Sequence, residues 1–225
     1  MMRSVLIDTE TTGLDPGLGH RVIEIAAIEL KNDLPSGGVF HRLVNPSRPV
    51  PEEATAINGI CDADLIGASD FATIAPELTA FLGTDPIIAH NAPFDFAFLD
   101  AEFARIAAPP LDPGRMIDTL ALAKSRYPGL PNSLDALCRR FGIDLAERGT
   151  HNALLDCRLL AAVYLELTGG RQRGLALVPA ASGPAPSTTL RPSRTPCRIV
   201  PSDADRARHS AFLARLKAAP IWQKG

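Results

Sequence analysis

The run Val5-Leu6-Ile7-Asp8-Thr9-Glu10-Thr11-Thr12-Gly13 constrains this chain more than any other stretch. Consecutive apolar residues read as a strand buried on both faces, and Gly13 can end it in a turn. Side chains alternate along a strand, so Asp8 and Glu10 share a face, roughly 7 Å apart. Two carboxylates at the end of a buried strand repel each other unless a cation lies between them. The pair therefore predicts a metal site completed by carboxylates from elsewhere. Asp-x-Glu is common and says little alone; His90-Asn91-Ala92-Pro93-Phe94-Asp95 and His151-Asn152-Ala153-Leu154-Leu155-Asp156 give it weight.

Around that strand the pattern reads βββαβαβα. Residues Arg21 to Leu30 form a long strand, Asn32 to Gly38 a turn and Val39 to Val44 a third strand, an antiparallel meander. Helices are expected over Glu52–Asn58 and Phe71–Leu82, the second capped by Ser69-Asp70. Pro86 to His90 is a short strand, and Asn91 is placed to cap the helix after it, with Pro93 in the first turn. Met116-Ile117-Asp118 is the last strand. Helices follow over Thr119–Arg126, Ser133–Phe141 and Asn152–Thr168. Mixed pairing with flanking helices makes this an α/β domain over residues 1–170. Residues 171–202, rich in Pro, Ser, Thr and Ala, read as a flexible linker, and 203–225 regain a short helical pattern.

Charge divides along the same line. Residues 1–170 carry 13 Lys+Arg against 23 Asp+Glu, net −10, whereas 171–225 carry 10 against 2, net +8. An acidic body gains nothing from bulk attraction to phosphates, so nucleic acid would be handled by metals, local arginines or a tether. No apolar stretch is long enough to span a membrane, and Met1-Met2-Arg3-Ser4 leads into the acidic motif rather than a signal-peptide core. A cytoplasmic location is expected. Cys61, Cys138, Cys157 and Cys197 lack metal-binding spacing and read as reduced thiols.

Asp95 falls just inside a helix N-terminus, where a carboxylate is favoured. His151 and Asp156 would be about 140° apart on one helix, so His151 is expected on the loop before it, free to swing toward a site that Asp156 lines. Oxygen ligands suit Mg²⁺ or Mn²⁺. Two such ions about 4 Å apart clamp the attacking and leaving oxygens of a phosphoryl displacement, and a histidine can take a proton from the attacking water near neutral pH. The residues alone thus point to a two-metal hydrolase, of a phosphodiester by preference.

In these three motifs the chain resembles the DEDDh group of 3′→5′ exonucleases. In Gly19-His20-Arg21-Val22-Ile23-Glu24-Ile25, Asn132-Ser133-Leu134-Asp135-Ala136-Leu137-Cys138 and Leu165–Gly170 it is similar, more narrowly, to the epsilon-type proofreading subunits of bacterial DNA polymerase III. The resemblance implies a ribonuclease H-like fold with a five-stranded mixed sheet, acting on the single-stranded 3′ end of DNA and releasing 5′-monophosphates. It makes Asp8, Glu10, Asp95 and Asp156 the metal-site carboxylates, Asp95 largely through water, and His151 the general base. Thr9 and the backbone at Glu10 would meet the terminal nucleotide. Asn58 stands where the family often has His; it can hydrogen-bond a phosphate but brings no charge. The competing expectations are a DEDDh exoribonuclease or oligoribonuclease and a non-catalytic adaptor on the same fold. The intact set of five residues argues against the adaptor.

Other residues receive plainer readings. His20 and His41 are expected at the surface, and Arg139-Arg140 on a solvated helix face. The Phe94, Phe96, Phe98 and Phe103 set is expected mostly in the core on helical spacing, with Leu99; Phe96, on the opposite helical face, is also the candidate to stack on a base. In the tail, Gln172-Arg173-Gly174-Leu175-Ala176-Leu177 resembles the peptides that bind bacterial sliding clamps, with Gln172, Leu175 and Leu177 as contacts. Phe212, Leu213, Leu216 and Trp222 are expected to dock on the polymerase (alpha) subunit.

Overall fold

The computed structural model describes residues 2–145, 152–169 and 200–215. The chain divides near residue 175 into two units. The first is built on one mixed sheet. Strands β1 (Arg3–Thr11), β2 (Val22–Lys31), β3 (Leu34–Leu43), β4 (Ile87–Ala89) and β5 (Met116–Asp118) lie in the order β3-β2-β1-β4-β5. The β1–β2 and β2–β3 pairs are antiparallel, whereas β1–β4 and β4–β5 are parallel. This is the five-stranded mixed sheet that the ribonuclease H-like resemblance implied.

Each face of β1 has its own core. Val5 and Ile7 pack on α2 (Phe71–Leu82) and α3 (Ala92–Arg105) through Ile74, Leu78, Phe98 and Leu99. Leu6, one residue out of phase, faces α5 (Leu134–Phe141) and α6 (Ala153–Leu167) through Leu137, Cys157 and Leu160. Burial on both sides explains the unbroken Val5-Leu6-Ile7 run. At about 1.5–3 kcal/mol per fully buried aliphatic side chain, this strand anchors both layers. Helices α1 (Glu52–Asn58) and α4 (Thr119–Arg126) complete the unit.

The element boundaries follow local chemistry. Asp70, Ser133 and Asn152 accept from the first-turn amides of α2, α5 and α6, as side chains of these types do at an N-cap. Asn91 does not. It takes φ +66 before α3 and its side chain makes no cap bond; Asp118 Oδ1 accepts from the amides of Asn91 and Ala92 instead. The third strand also starts earlier than the sequence suggests. Asn32 and Asp33 both have positive φ and make a tight hairpin turn, so Leu34–Gly38 are strand. Pro35 is tolerated because β3 is an edge strand. Among the described residues, no helix is long and apolar enough to cross a membrane. In the second unit, α7 (Asp203–Ala214) is capped by Ser202 and has Phe212 59% exposed.

Candidate metal centre and active-site cleft

The site forms at the C-terminal end of β1. Alternation puts Asp8 and Glu10 on the face covered by α6, and Asp156 arrives there from the first turn of that helix, its amide bonded to the Asn152 carbonyl at 2.9 Å. One carboxylate oxygen from each of Asp8, Glu10 and Asp156 lies within 4.8 Å of the other two. The register of β1 against β2 shifts between Glu10 and Thr11, a bulge of the kind that re-aims side chains beside active sites. Asp95 reaches the cleft from α3, on the opposite face, where the Thr9 hydroxyl donates to its Oδ1 at 2.8 Å. It is not part of the three-oxygen cluster.

Packing like charges here has an electrostatic consequence. Burial, with Asp95, Glu10, Asp156 and Glu24 close by, pushes the Asp8 carboxyl well above the usual carboxylate range. Asp95, 3% exposed, is pushed up to about 7 by burial, against the Thr9 hydroxyl, which pulls it down. Groups that resist ionising in isolation ionise readily around a divalent cation. The all-oxygen donor set, its spacing and its excess of negative charge therefore fit a hard divalent ion.

Two clefts meet at Asp8, His90 and Asp156. One, of about 610 Å³, also contains Glu10 and Asp95 and is rimmed by Leu14, Leu18 and Ile57, all more than half exposed. The other, of about 860 Å³, runs past Lys124, Asn132 and Ser133. An acidic floor with an apolar rim suits a phosphodiester whose base leaves water.

Several assigned residues have definite surroundings. The Thr9 hydroxyl is engaged by Asp95. Asn58 is buried against the cleft; its Oδ1 accepts from the Ile60 amide and its Nδ2 donates to the Thr11 carbonyl. His151, Gln172, Leu175, Leu177, Leu216 and Trp222 lie outside the described residues. Leu213 is half-buried on α7.

Some expectations are overturned. Phe96 is buried in the core, as the phenylalanine set was expected to be, so its base-stacking role falls; Phe94 lines the cleft instead. His20 is not a plain surface group, since its ring packs so closely on Gly13 that a Cβ there would meet it at 2.3 Å. His41 is half-exposed but bonds the buried Glu24 through Nε2 at 2.6 Å. Arg139 is solvated as expected, whereas Arg140 stacks on Tyr127 and bonds Asn132 and Pro131.

Two residues escaped the sequence reading. The Thr119 hydroxyl donates to the Ala89 carbonyl, so it accepts from His90 Nδ1 at 2.9 Å, which leaves the Nε2 lone pair buried and unpartnered among the described residues. Burial also pulls the His90 pKa down, which keeps the ring neutral. Glu24 is a further buried carboxylate, and its signal was legible: it is the one charged residue between Val22 and Ile28.

Comparison with known proteins agrees with this geometry. The RNase T exonuclease family model matches residues 5–164. The DNA polymerase III subunit epsilon of Rickettsia conorii is 40% identical over 222 residues, covering 96% of each chain. That of Escherichia coli K12 is 41% identical over 176 residues, 75% of this chain and 72% of its relative. Among solved structures, exonuclease X in complex with 5′-overhanging duplex DNA matches with TM-score 0.59 at 29% identity, over 75% of this chain and 91% of that one. Zinc-bound E. coli exonuclease I in its single-stranded DNA complex, at TM-score 0.64 and 22% identity over 76% of this chain and 41% of that one, shares the fold. The chain belongs to the RNase T exonuclease family, in its DNA polymerase III subunit epsilon branch.

Proposed function

We propose that this chain is the 3′→5′ proofreading exonuclease of a replicative DNA polymerase, removing mispaired 3′-terminal nucleotides as 5′-monophosphates. The observation that carries the reading is the three-carboxylate cluster, its oxygens within 4.8 Å of one another on the floor of a cleft. Asp8, Glu10 and Asp156 would hold two divalent cations, Mg²⁺ or Mn²⁺, with Asp95 acting through water. Bound there, the ions would supply charge stabilisation to the phosphoryl transfer and acidify the attacking water.

The chain's own groups do the rest. Thr9 fixes the Asp95 carboxylate, and the Leu14–Leu18–Ile57 rim offers the terminal base an apolar surface. His151 takes the proton of the attacking water as general base. A terminal nucleotide has to leave its partner strand to place its phosphodiester over the carboxylates, so a mispaired end is favoured because its unpairing costs least.

The basic tail supports a tethered enzyme. Phe212 and Leu216 are one helical turn apart in sequence, beside Leu213, too small a stripe to build a core alone. With Trp222 they would dock on the polymerase subunit, alpha, while Gln172, Leu175 and Leu177 would engage the sliding clamp. Docking raises the nuclease's effective concentration at the primer end to about millimolar. Residues 1–170, 171–202 and 203–225 then act as nuclease, linker and docking segment.

The test is a comparison of three 5′-labelled strands with Mg²⁺: a mispaired primer end, a paired one and an RNA of the same sequence. Faster loss of the mispaired DNA end supports proofreading. Preferential degradation of the RNA would make the enzyme an exoribonuclease.

A further inference from the structure

Glu24 is 1% exposed, on a strand otherwise apolar at its centre, in a site already crowded with carboxylates. It stands directly opposite Glu10 in the β1–β2 register, hence on the same face of the sheet. Burying one more negative charge there is costly unless it is well paired. The structure shows what pairs it. Its Oε1 accepts from His41 Nε2 at 2.6 Å and from Asn152 Nδ2 at 3.1 Å, and its Oε2 accepts from the backbone amide of Ala153 at 3.1 Å.

Two of these donors begin α6. Asn152 is the cap of that helix, its Oδ1 accepting from the Leu155 amide at 3.0 Å, while its carbonyl accepts from the amide of Asp156. Ala153 is the first residue of the helix. An anion at a helix N-terminus is favoured by the amides left without intrahelical partners. The Glu24 carboxylate is therefore bonded to the same first turn that delivers Asp156 to Asp8 and Glu10. His41, on the neighbouring strand β3, holds that carboxylate from its other side.

We propose that Glu24, braced by His41, is a positioning residue: it fixes the start of α6 against β2 so that Asp156 completes the divalent-cation site. This rests on the metal-dependent reading above. Glu24 itself falls outside the three-oxygen cluster, so it is assigned a role through the helix rather than as a ligand, beside the charge it adds to the field at Asp8. Groups that orient metal ligands in this way typically change metal affinity by roughly 10–100-fold.

The test is titration of the full-length protein with Mn²⁺, each variant first shown to be folded by thermal melting in chelator. Glu24→Ala is expected to weaken Mn²⁺ binding roughly 10–100-fold. Glu24→Gln, which keeps one acceptor oxygen for the helix amides, should lie between Glu24→Ala and wild type. His41→Leu, which leaves the Glu24 charge in place, should weaken binding measurably. If Glu24→Ala does not fold, the other two variants decide.

Wild-type affinity in Glu24→Gln and His41→Leu overturns the proposal. So does equal weakening in both Glu24 variants with no change in His41→Leu, because that is the pattern of a simple field effect. Asp156→Asn separates the two levels of the argument. If it too binds Mn²⁺ like wild type, the metal reading fails; if it alone loses binding, only the positioning inference does.

Discussion

Asp95 is nearly closed to solvent and titrates near 7, so folding stabilises its protonated form. The consequence for stability has a definite sign. Between the ordinary carboxylate range and about 7 the native chain binds more protons than the unfolded one, so stability falls as pH rises through that window. Asp8, also raised, acts in the same direction. Glu29, held down to about 2, and Asp64 and Asp70, also lowered, act oppositely but at lower pH. The metal-free protein should therefore melt at lower temperature at pH 7.5 than at pH 5.5, and Mg²⁺ should restore much of the loss by offsetting the repulsion. Thermal melts in chelator and in Mg²⁺ measure this; equal melting temperatures at both pH values in chelator would contradict it. At the same scale, Asp8→Asn or Glu10→Gln should abolish hydrolysis while leaving the fold intact, and more than a few per cent residual activity would remove the metal scheme. His151→Ala should lower turnover by roughly 10²–10⁴-fold and flatten the acid limb of the pH–rate profile. The carboxylates were legible because they sit in short, ordered motifs. Phe96 lies in the core with the other phenylalanines, and its alternative base-stacking role fails because helical spacing alone does not say which face meets the sheet. Glu24 stands out in sequence as a lone charge in an apolar strand, but its partners on α6 are more than 120 residues away, so its role was not readable from any local pattern.

Among the elements, the devices that hold the site are helix starts. Asp118 Oδ1 accepts from the amides of Asn91, Ala92 and Leu120, so one side chain at the end of β5 joins the start of α3 to the start of α4. That bond set stands in for the cap expected of Asn91. Asp118→Ala should cost about 1–3 kcal/mol, the penalty for leaving such donors poorly satisfied, and lower the melting temperature by a few degrees. An unchanged melting curve would mean that water replaces the carboxylate without loss. The helices were readable from periodicity and caps, and their observed bounds match closely. The start of β3 was not, because Pro35, Gly37 and Gly38 signal a turn locally while the edge of the sheet tolerates them as strand.

Across the whole molecule, charge separates an acidic nuclease unit from a basic tail, which the proposed docking of the tail would put to use. A chain ending at Gly170 should keep exonuclease activity on single strands yet lose co-purification with the polymerase subunit; retained co-purification would contradict docking through the tail. Salt separates docking from simple DNA binding, since a basic tail gripping DNA weakens steeply as salt rises. The fold was legible as a whole because motif order, strand count and helix placement agree with one another. Tail function is less so, since short apolar stripes fit many partners. The central claim is that the Asp8–Glu10–Asp156 cluster holds the divalent cations that drive hydrolysis from a 3′ end. Its most direct test follows the digestion of a 5′-labelled single-stranded DNA by the full-length protein in Mg²⁺, alongside Asp156→Asn and a chelator control. The account predicts a ladder shortening stepwise from the 3′ end with release of 5′-monophosphates, absent in the variant and in chelator. Internal cleavage, shortening from the 5′ end or undiminished digestion by Asp156→Asn would contradict it.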